Sequence, residues 1–369
     1  MRSPLAGPTI HLPFIAEQGW TSCPNGPGRS DSKELMDPSR TFDIFGIGHA
    51  LVDVEVEVDE AFLRGQDVEK GQRRLVTSAE KRRLHRTLGE RPVHRCSGGS
   101  VANTVVGVAE LGGRGGFCGV VGDDEEGRVF REDLRRINVP LVSEVHEGET
   151  GTCTVMITPD AQRTMMTHLG VAAELGPGDV DSQAVSQSKF LLVEGYLLPH
   201  ERSLEATFQA INVATATGVQ VVLTVSDPFV IQTCGRLIWE LMDGPVDIVL
   251  LNELEGRALT GLDDPLDCAR EIHRHSVDVA LTLGASGSVL MHHGECSIQE
   301  VVPVDAVDTT GAGDMYAAGL LYGLSLGWGW AQSGRLGSRA AAKQISTFGS
   351  RLSEPLTPEE VRALSGDFA

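Results

Sequence analysis

From about residue 180 onward the apolar residues gather into short runs, at 190–194, 221–225, 248–251, 279–282 and 288–291, with helical segments between the earlier ones. Such runs read as strands buried on both faces, and their alternation with helices predicts a parallel sheet covered by helices. A similar run, 42–48, ends in a glycine turn, Gly46-Ile47-Gly48. A dinucleotide-binding fingerprint would need a third glycine near Leu51 and a helix next, and neither follows.

The pattern then changes. Val52, Val54, Val56 and Val58 alternate with Asp53, Glu55, Glu57 and Asp59, which predicts a half-exposed strand, apolar on one face and acidic on the other. Residues 152–158 alternate too, turn at Pro159-Asp160 and return through 163–168 as a hairpin. These strands do not suit the parallel sheet and predict a small separate sheet, a candidate lid. A strand at 117–121 and an amphipathic helix at 127–137 complete this half.

Two glycine-rich segments each open a helix of small and apolar residues. Ser97-Gly98-Gly99-Ser100-Val101-Ala102-Asn103 leads into a buried helix through Leu111. Asp308-Thr309-Thr310-Gly311-Ala312-Gly313-Asp314 leads into Met315-Tyr316-Ala317-Ala318. The second segment reads as a tight turn whose backbone N–H groups, with the helix dipole, would hold an anion. A carboxylate in the first turn would accept a proton from a nucleophile beside it. That is the minimum equipment for phosphoryl transfer.

Composition narrows the choices. The chain has 369 residues, suiting one large α/β domain with an appendage; residues 1–40, rich in Pro, Gly and Ser, read as a disordered extension, with Met36 a possible later start. The formal charge of −20 argues against nucleic acid as a partner. None of the five lysines follows a glycine, so there is no Walker-type loop, and any nucleotide phosphates would rest on backbone amides and arginine. Seven scattered cysteines without a C-x-x-C pair suggest reduced thiols and, with no signal peptide or membrane span evident, a cytoplasmic protein. The pairs His273/His275 and His292/His293 lack helical metal-ligand spacing and read as surface residues.

Each candidate has an ordinary alternative. Asp314 is a general base or a first-turn carboxylate; Gly311 and Gly313, which weaken a helix start, favour close approach of a ligand. Gly98 and Gly99 serve a ligand loop or close helix–sheet packing, and Asn103 bonds a ligand hydroxyl or caps its turn. Asn252 and Glu255 follow a core strand and either face a Mg²⁺-bound water network or cap a helix. Arg163 clamps a transferring phosphoryl group or is a surface arginine.

The segments 98–103 and 308–314, with Asn252 to Glu255 as an N-x-x-E motif, resemble the ribokinase (PfkB) family of carbohydrate and nucleoside kinases over about residues 42–350. The resemblance implies an α/β ribokinase-like fold: a mostly parallel central sheet flanked by helices, spanning 41–369, with a discontinuous lid near 51–64, 91–97 and 150–168. It implies Asp314 as base, the amides of Gly311, Ala312 and Gly313 as anion hole, Arg163 near the phosphates, and ATP and Mg²⁺ as cosubstrates, with Glu255 on the metal side. Leu51-Val52-Asp53, Gly151-Thr152-Cys153 and Ser226-Asp227-Pro228-Phe229 are similar to the adenosine kinase and inosine-guanosine kinase branch. By that likeness Asp53, Gly98, Gly99 and Asn103 bind ribose, and Asn252, Thr282, Gly284 and Gly287 belong to the nucleotide side. His49 stands where adenosine kinases usually carry Asn. The expected activity is phosphorylation of a nucleoside 5′-hydroxyl; a sugar kinase on the same scaffold and a non-catalytic ligand-binding regulator are the alternatives. The expected partner is a small nucleoside or sugar, with no nucleic acid or membrane, in a monomer or homodimer.

Overall fold

The structure, a computed structural model, describes residues 39–365 apart from Asp67, Ala161, Ser276, Phe348 and Ser353. The extension expected over 1–40, including Met36, lies outside the described residues except at its end. There Arg40 donates to the carbonyls of Ser186 and Ser188 at 3.1 and 2.7 Å.

The strands in chain order are β1 (Phe42–Ile47), β2 (Leu51–Glu57), β3 (Arg73–Leu75), β4 (His94–Gly98), β5 (Gly115–Cys118), β6 (Val121–Gly122), β7 (Val145–His146), β8 (Gly151–Ile157) and β9 (Arg163–His168). They continue as β10 (Ser188–Glu194), β11 (Gln220–Thr224), β12 (Ile248–Asn252), β13 (Asp278–Thr282), β14 (Ser288–His292) and β15 (Glu295–Gln299). The large sheet runs β15-β14-β13-β12-β11-β10-β1-β5, parallel from β13 to β5 and antiparallel at the β13–β14–β15 edge. The parallel core and the alternating βα rhythm agree with the sequence.

Alternation along each core strand sends side chains to two apolar layers. Phe45, Leu191, Leu223, Leu251 and Leu281 pack with the helices Glu201–Ala216, Pro228–Asp243 and Pro265–His273. Ile44, Leu192, Val222, Leu250 and Leu290 pack with the helices Ser100–Glu110, Ala312–Ser325 and Trp330–Ile345. Gly107 lets the first two of these helices touch: a Cβ there would stand 2.8 Å from that of Ala318. Their N-termini therefore open side by side.

The second sheet, β3-β9-β8-β2-β4, contains the acidic strand, the hairpin and, within the expected segment 91–97, most of β4; β3 was not expected. One expectation is corrected. The acidic face of β2 is exposed only toward its end, at Glu57 and the following Asp59; Asp53 and Glu55 are 6% and 1% exposed. In register they stand opposite Cys96 and His94 of β4 and beside Cys153 and Val155 of β8. Val56 on the opposite face packs with Met156, Leu84 and Leu88. From Val52 to Val56 the strand is thus covered on both faces, with Asp53 and Glu55 turned into the cleft between the sheets. Two smaller corrections follow: residues 117–121 divide between β5 and β6, and the next helix spans Glu125–Arg136.

Candidate active site

Two helix N-termini form the floor of the cleft. Gly311 precedes the helix Ala312–Ser325 at φ 73°, and a Cβ there would stand 2.8 Å from the Ser350 carbonyl oxygen. Glycine is required on both counts. The turn before it is tied down by Asp308, whose Oδ1 accepts from the Thr310 amide at 2.8 Å and hydroxyl at 2.6 Å, and whose Oδ2 accepts from the Gly349 amide at 3.0 Å. Gln344 donates to the Thr310 carbonyl at 2.7 Å. The Ala312 amide bonds the Thr309 carbonyl at 3.3 Å, while those of Gly311, Gly313 and Asp314 have no protein acceptor among the described residues. A Cβ at Gly313 would meet open space. The amides of Gly311, Gly313 and Asp314 are therefore free for an anion, whereas that of Ala312, also expected in the anion hole, is engaged within the turn.

Gly99 precedes the helix Ser100–Glu110 at φ 98°, and its missing Cβ makes room for the His49 carbonyl, 2.3 Å from where that atom would lie. At Gly98 a Cβ would lie 2.2 Å from the Asp53 carboxylate. Both glycines allow close approach, but of parts of the site itself. Ser100, now at the helix start, donates to Asp314 Oδ1 at 2.7 Å, and Asn103 donates to Oδ2 at 3.4 Å. Burial raises the Asp314 pKa to about 6, partly offset by these two hydrogen bonds and by the charges of Arg73 and Arg163.

The rest of this pocket is rich in unsatisfied polarity. Asn103 Oδ1 and His49 Nε2 are buried without a hydrogen-bond partner among the described residues. The His49 amide donates to Glu194 Oε2 at 2.8 Å. Burial, with the charges of His200 and Arg73, lowers the His49 pKa to about 3, so its imidazole is neutral. Burial and the nearby Glu55 raise Asp53 to about 7, and burial raises Glu194 to about 8. Buried polar groups left unpaired are costly, and a hydroxylated ligand would satisfy them.

Arg163, at the start of β9, reaches from the small sheet to the anion turn. It donates to the Thr309 hydroxyl at 2.7 Å and lies 3.8 Å from Asp308. A second arginine, Arg73 on β3, stacks over the Tyr196 ring at 4.8 Å and hydrogen-bonds its hydroxyl. Its charge also acts on Asp53, Glu194 and Asp314. Arg73, Ser100 and Glu194 were not assigned from sequence. Arg73 lies on a strand of only three residues in a charged stretch, and Glu194 was visible only as the last residue of a core strand.

Farther along the strand ends, β12 and β13 bring Asn252 and Thr282 side by side in register. Asn252 and Glu255 form a reciprocal capping box. Glu255 Oε2 accepts from the Asn252 amide at 3.0 Å, Oε1 accepts from the Asn252 side chain, and Asn252 Oδ1 accepts from the Glu255 amide at 3.0 Å. Both Glu255 oxygens thus accept from Asn252, so the helix-capping arrangement weighed for this pair is formed, and each oxygen keeps a further lone pair; burial raises its pKa to about 7. Gly284, at φ 55°, has open space where a Cβ would be, whereas one at Gly287 would stand 2.0 Å from the Gln299 carbonyl. Gly284 is available to a ligand, and Gly287 is fixed by the β14–β15 hairpin. Among the described residues, neither histidine pair belongs to a metal-binding cluster.

No helix among the described residues is long and apolar enough to cross a membrane. The profile of the pfkB family carbohydrate kinases matches residues 80–357. An adenosine kinase of Sinorhizobium meliloti is similar in structure, with a TM-score of 0.83 and 35% identity over 88% of this chain and 99% of that one. A probable sugar kinase of Rhizobium etli CFN 42 has a TM-score of 0.84 and 31% identity over 89% of this chain and 99% of that one. Among curated proteins, a 5-dehydro-2-deoxygluconokinase of Geobacillus thermodenitrificans (strain NG80-2) is 29% identical over 74% of this chain and 86% of its own length. The chain belongs to the pfkB carbohydrate kinase family, ATP-using enzymes of ribokinase-like α/β fold that phosphorylate hydroxyl groups of sugars or nucleosides.

Proposed function

We propose that this kinase transfers the γ-phosphoryl group of ATP to the 5′-hydroxyl of a nucleoside. The observation that carries the reading is the Asp314 carboxylate, held by Ser100 and Asn103 at the mouth of a helix N-terminus. Asn103 and His49 offer unpaired polar atoms in the same pocket. The acceptor lies between the two sheets, its ring hydroxyls bonded by Asp53, Asn103 and His49 within the loop of Gly98 and Gly99. Its reacting hydroxyl points to Asp314. As that oxygen bonds the γ-phosphorus, the proton passes to Asp314 and the bond to the β-phosphate breaks, the electron pair leaving with ADP.

The Gly311–Gly313 turn and Arg163 stabilise the charge on the transferring group. The end of the cleft with Asn252, Thr282, Gly284 and Gly287 takes the nucleotide. Glu255 and Asn252 would hold Mg²⁺ there, which when bound would neutralise phosphate charge. The small sheet acts as a lid that excludes water, which would otherwise accept the phosphoryl group.

The 35% identity with the Sinorhizobium meliloti adenosine kinase over most of both chains favours a nucleoside. A sugar kinase is the second reading, supported by the relatives named for sugar substrates. Arg73 also favours it, since a cation among the pocket's carboxylic acids suits an acceptor that carries a carboxylate, as 5-dehydro-2-deoxygluconate does. An ATP-consumption assay across adenosine, inosine, guanosine, cytidine, ribose, fructose and 5-dehydro-2-deoxygluconate tests the proposal. Turnover of a nucleoside with the highest kcat/KM is expected. Turnover confined to sugars replaces it with the second reading, and binding without turnover of any acceptor overturns both.

A further inference from the structure

On the cleft face of the small sheet, β2 and β4 bring together three metal-binding side chains that the phosphoryl-transfer reading does not use. Glu55 stands opposite His94 in the antiparallel register, and Cys96 lies two residues farther along β4. One ligand atom from each lies within 4.8 Å of the other two, the only such cluster among the described residues. Glu55 Oε2 bonds His94 Nδ1 at 3.0 Å, while Oε1 is buried without a hydrogen-bond partner. A carboxylate 1% exposed with one oxygen unanswered is a costly arrangement, and a cation would satisfy it. His94, with its side chain 62% exposed, opens the cluster to solvent and supplies an entry path.

We propose that Glu55, His94 and Cys96 bind a thiophilic divalent cation, with Zn²⁺ the best chemical match and water as fourth ligand. Sulfur, imidazole nitrogen and carboxylate oxygen together suit zinc, whereas Mg²⁺ prefers an all-oxygen shell. Bond lengths of about 2.0–2.3 Å require the three ligand atoms to draw in somewhat from their present spacing. Binding displaces the Cys96 thiol proton to solvent and leaves a thiolate on the metal. The ion then ties the edge strand β4 to β2.

The test uses chelator-treated full-length protein, without nucleotide, titrated with Co²⁺ as a spectroscopic probe and then with Zn²⁺. One Co²⁺ per chain is expected, with thiolate-to-cobalt absorption in the near ultraviolet that Zn²⁺ abolishes. Cys96→Ser should lose that absorption. His94→Ala, an exposed change that spares the fold, should weaken binding by at least the roughly 10–100-fold seen when a ligand's supporting partner is removed. Cys296→Ser, at the exposed cysteine, should leave it intact. No thiolate band in the native protein, affinity unchanged in His94→Ala, or a band lost in Cys296→Ser would each overturn the site.

Discussion

Ser100 and Asp314 occupy the first turns of two neighbouring helices, and the serine hydroxyl donates to the carboxylate at 2.7 Å. This contact joins the two glycine-led segments into one site. It also favours the ionised form of a carboxyl group that burial pushes the other way. The base must be ionised to accept a proton, so kcat/KM should fall as pH drops through about 6. Ser100→Ala removes a bond that lowers the Asp314 pKa, so the acid limb should move to higher pH while turnover on the alkaline side is largely kept. An unmoved limb in the pH–rate profile would detach Ser100 from the base.

Arg163 offers a second test, because it binds the anion turn from the small sheet. Arg163→Ala should lower kcat by roughly 10²–10³-fold, the scale for losing one donor to developing charge. Its exposed contact with Thr309 contributes little to stability, so the melting temperature should change little. Steady-state kinetics with a melting curve separates the two effects. Normal kcat would reduce Arg163 to a clasp between sheets.

Gly311→Ala should be damaging without altering any catalytic side chain. A non-glycine residue in the left-handed region costs about 1–2 kcal/mol, and the added Cβ would press on the Ser350 carbonyl. A lower melting temperature and a raised KM for ATP are expected. Gly313→Ala, where the Cβ meets open space, should leave stability nearly unchanged and affect only nucleotide kinetics.

The buried acids give the protein a pH-dependent stability of definite sign. Glu194 has its pKa raised to about 8, and Asp53 and Glu255 to about 7, by burial. In the unfolded chain such groups titrate near 4, so between roughly pH 4 and 8 the folded state holds more protons. Their stabilising contribution is complete below that window and is lost as pH rises through it. The melting temperature of the ligand-free protein should therefore be higher at pH 5 than at pH 8. Glu194→Gln, which still accepts the His49 amide, should flatten the decline. A steeper decline in that variant would contradict the assignment.

The sequence carried the core sheet and the anion turn because both rest on local signals: continuous apolar runs and paired glycines before a buried helix. The direction in which a polar face points was not legible. Asp53 and Glu55 alternate with valines just as they would on a solvent-facing strand, and only the second sheet's position over the helix N-termini turns them inward. Arg73 and Glu194 were missed because their meaning depends on residues far away in sequence. For Glu255 spacing alone could not choose between the two readings, since N-x-x-E is also the spacing of a capping box, and the box is formed.

The most direct measurement is kcat for Asp314→Asn with ATP and the preferred acceptor. Asparagine keeps the shape and can still bond Ser100, but it cannot take the hydroxyl proton. A loss of roughly 10²–10⁴-fold in kcat, with acceptor affinity by calorimetry near that of the native enzyme, is predicted. Near-normal turnover would contradict the assignment of Asp314 as the base.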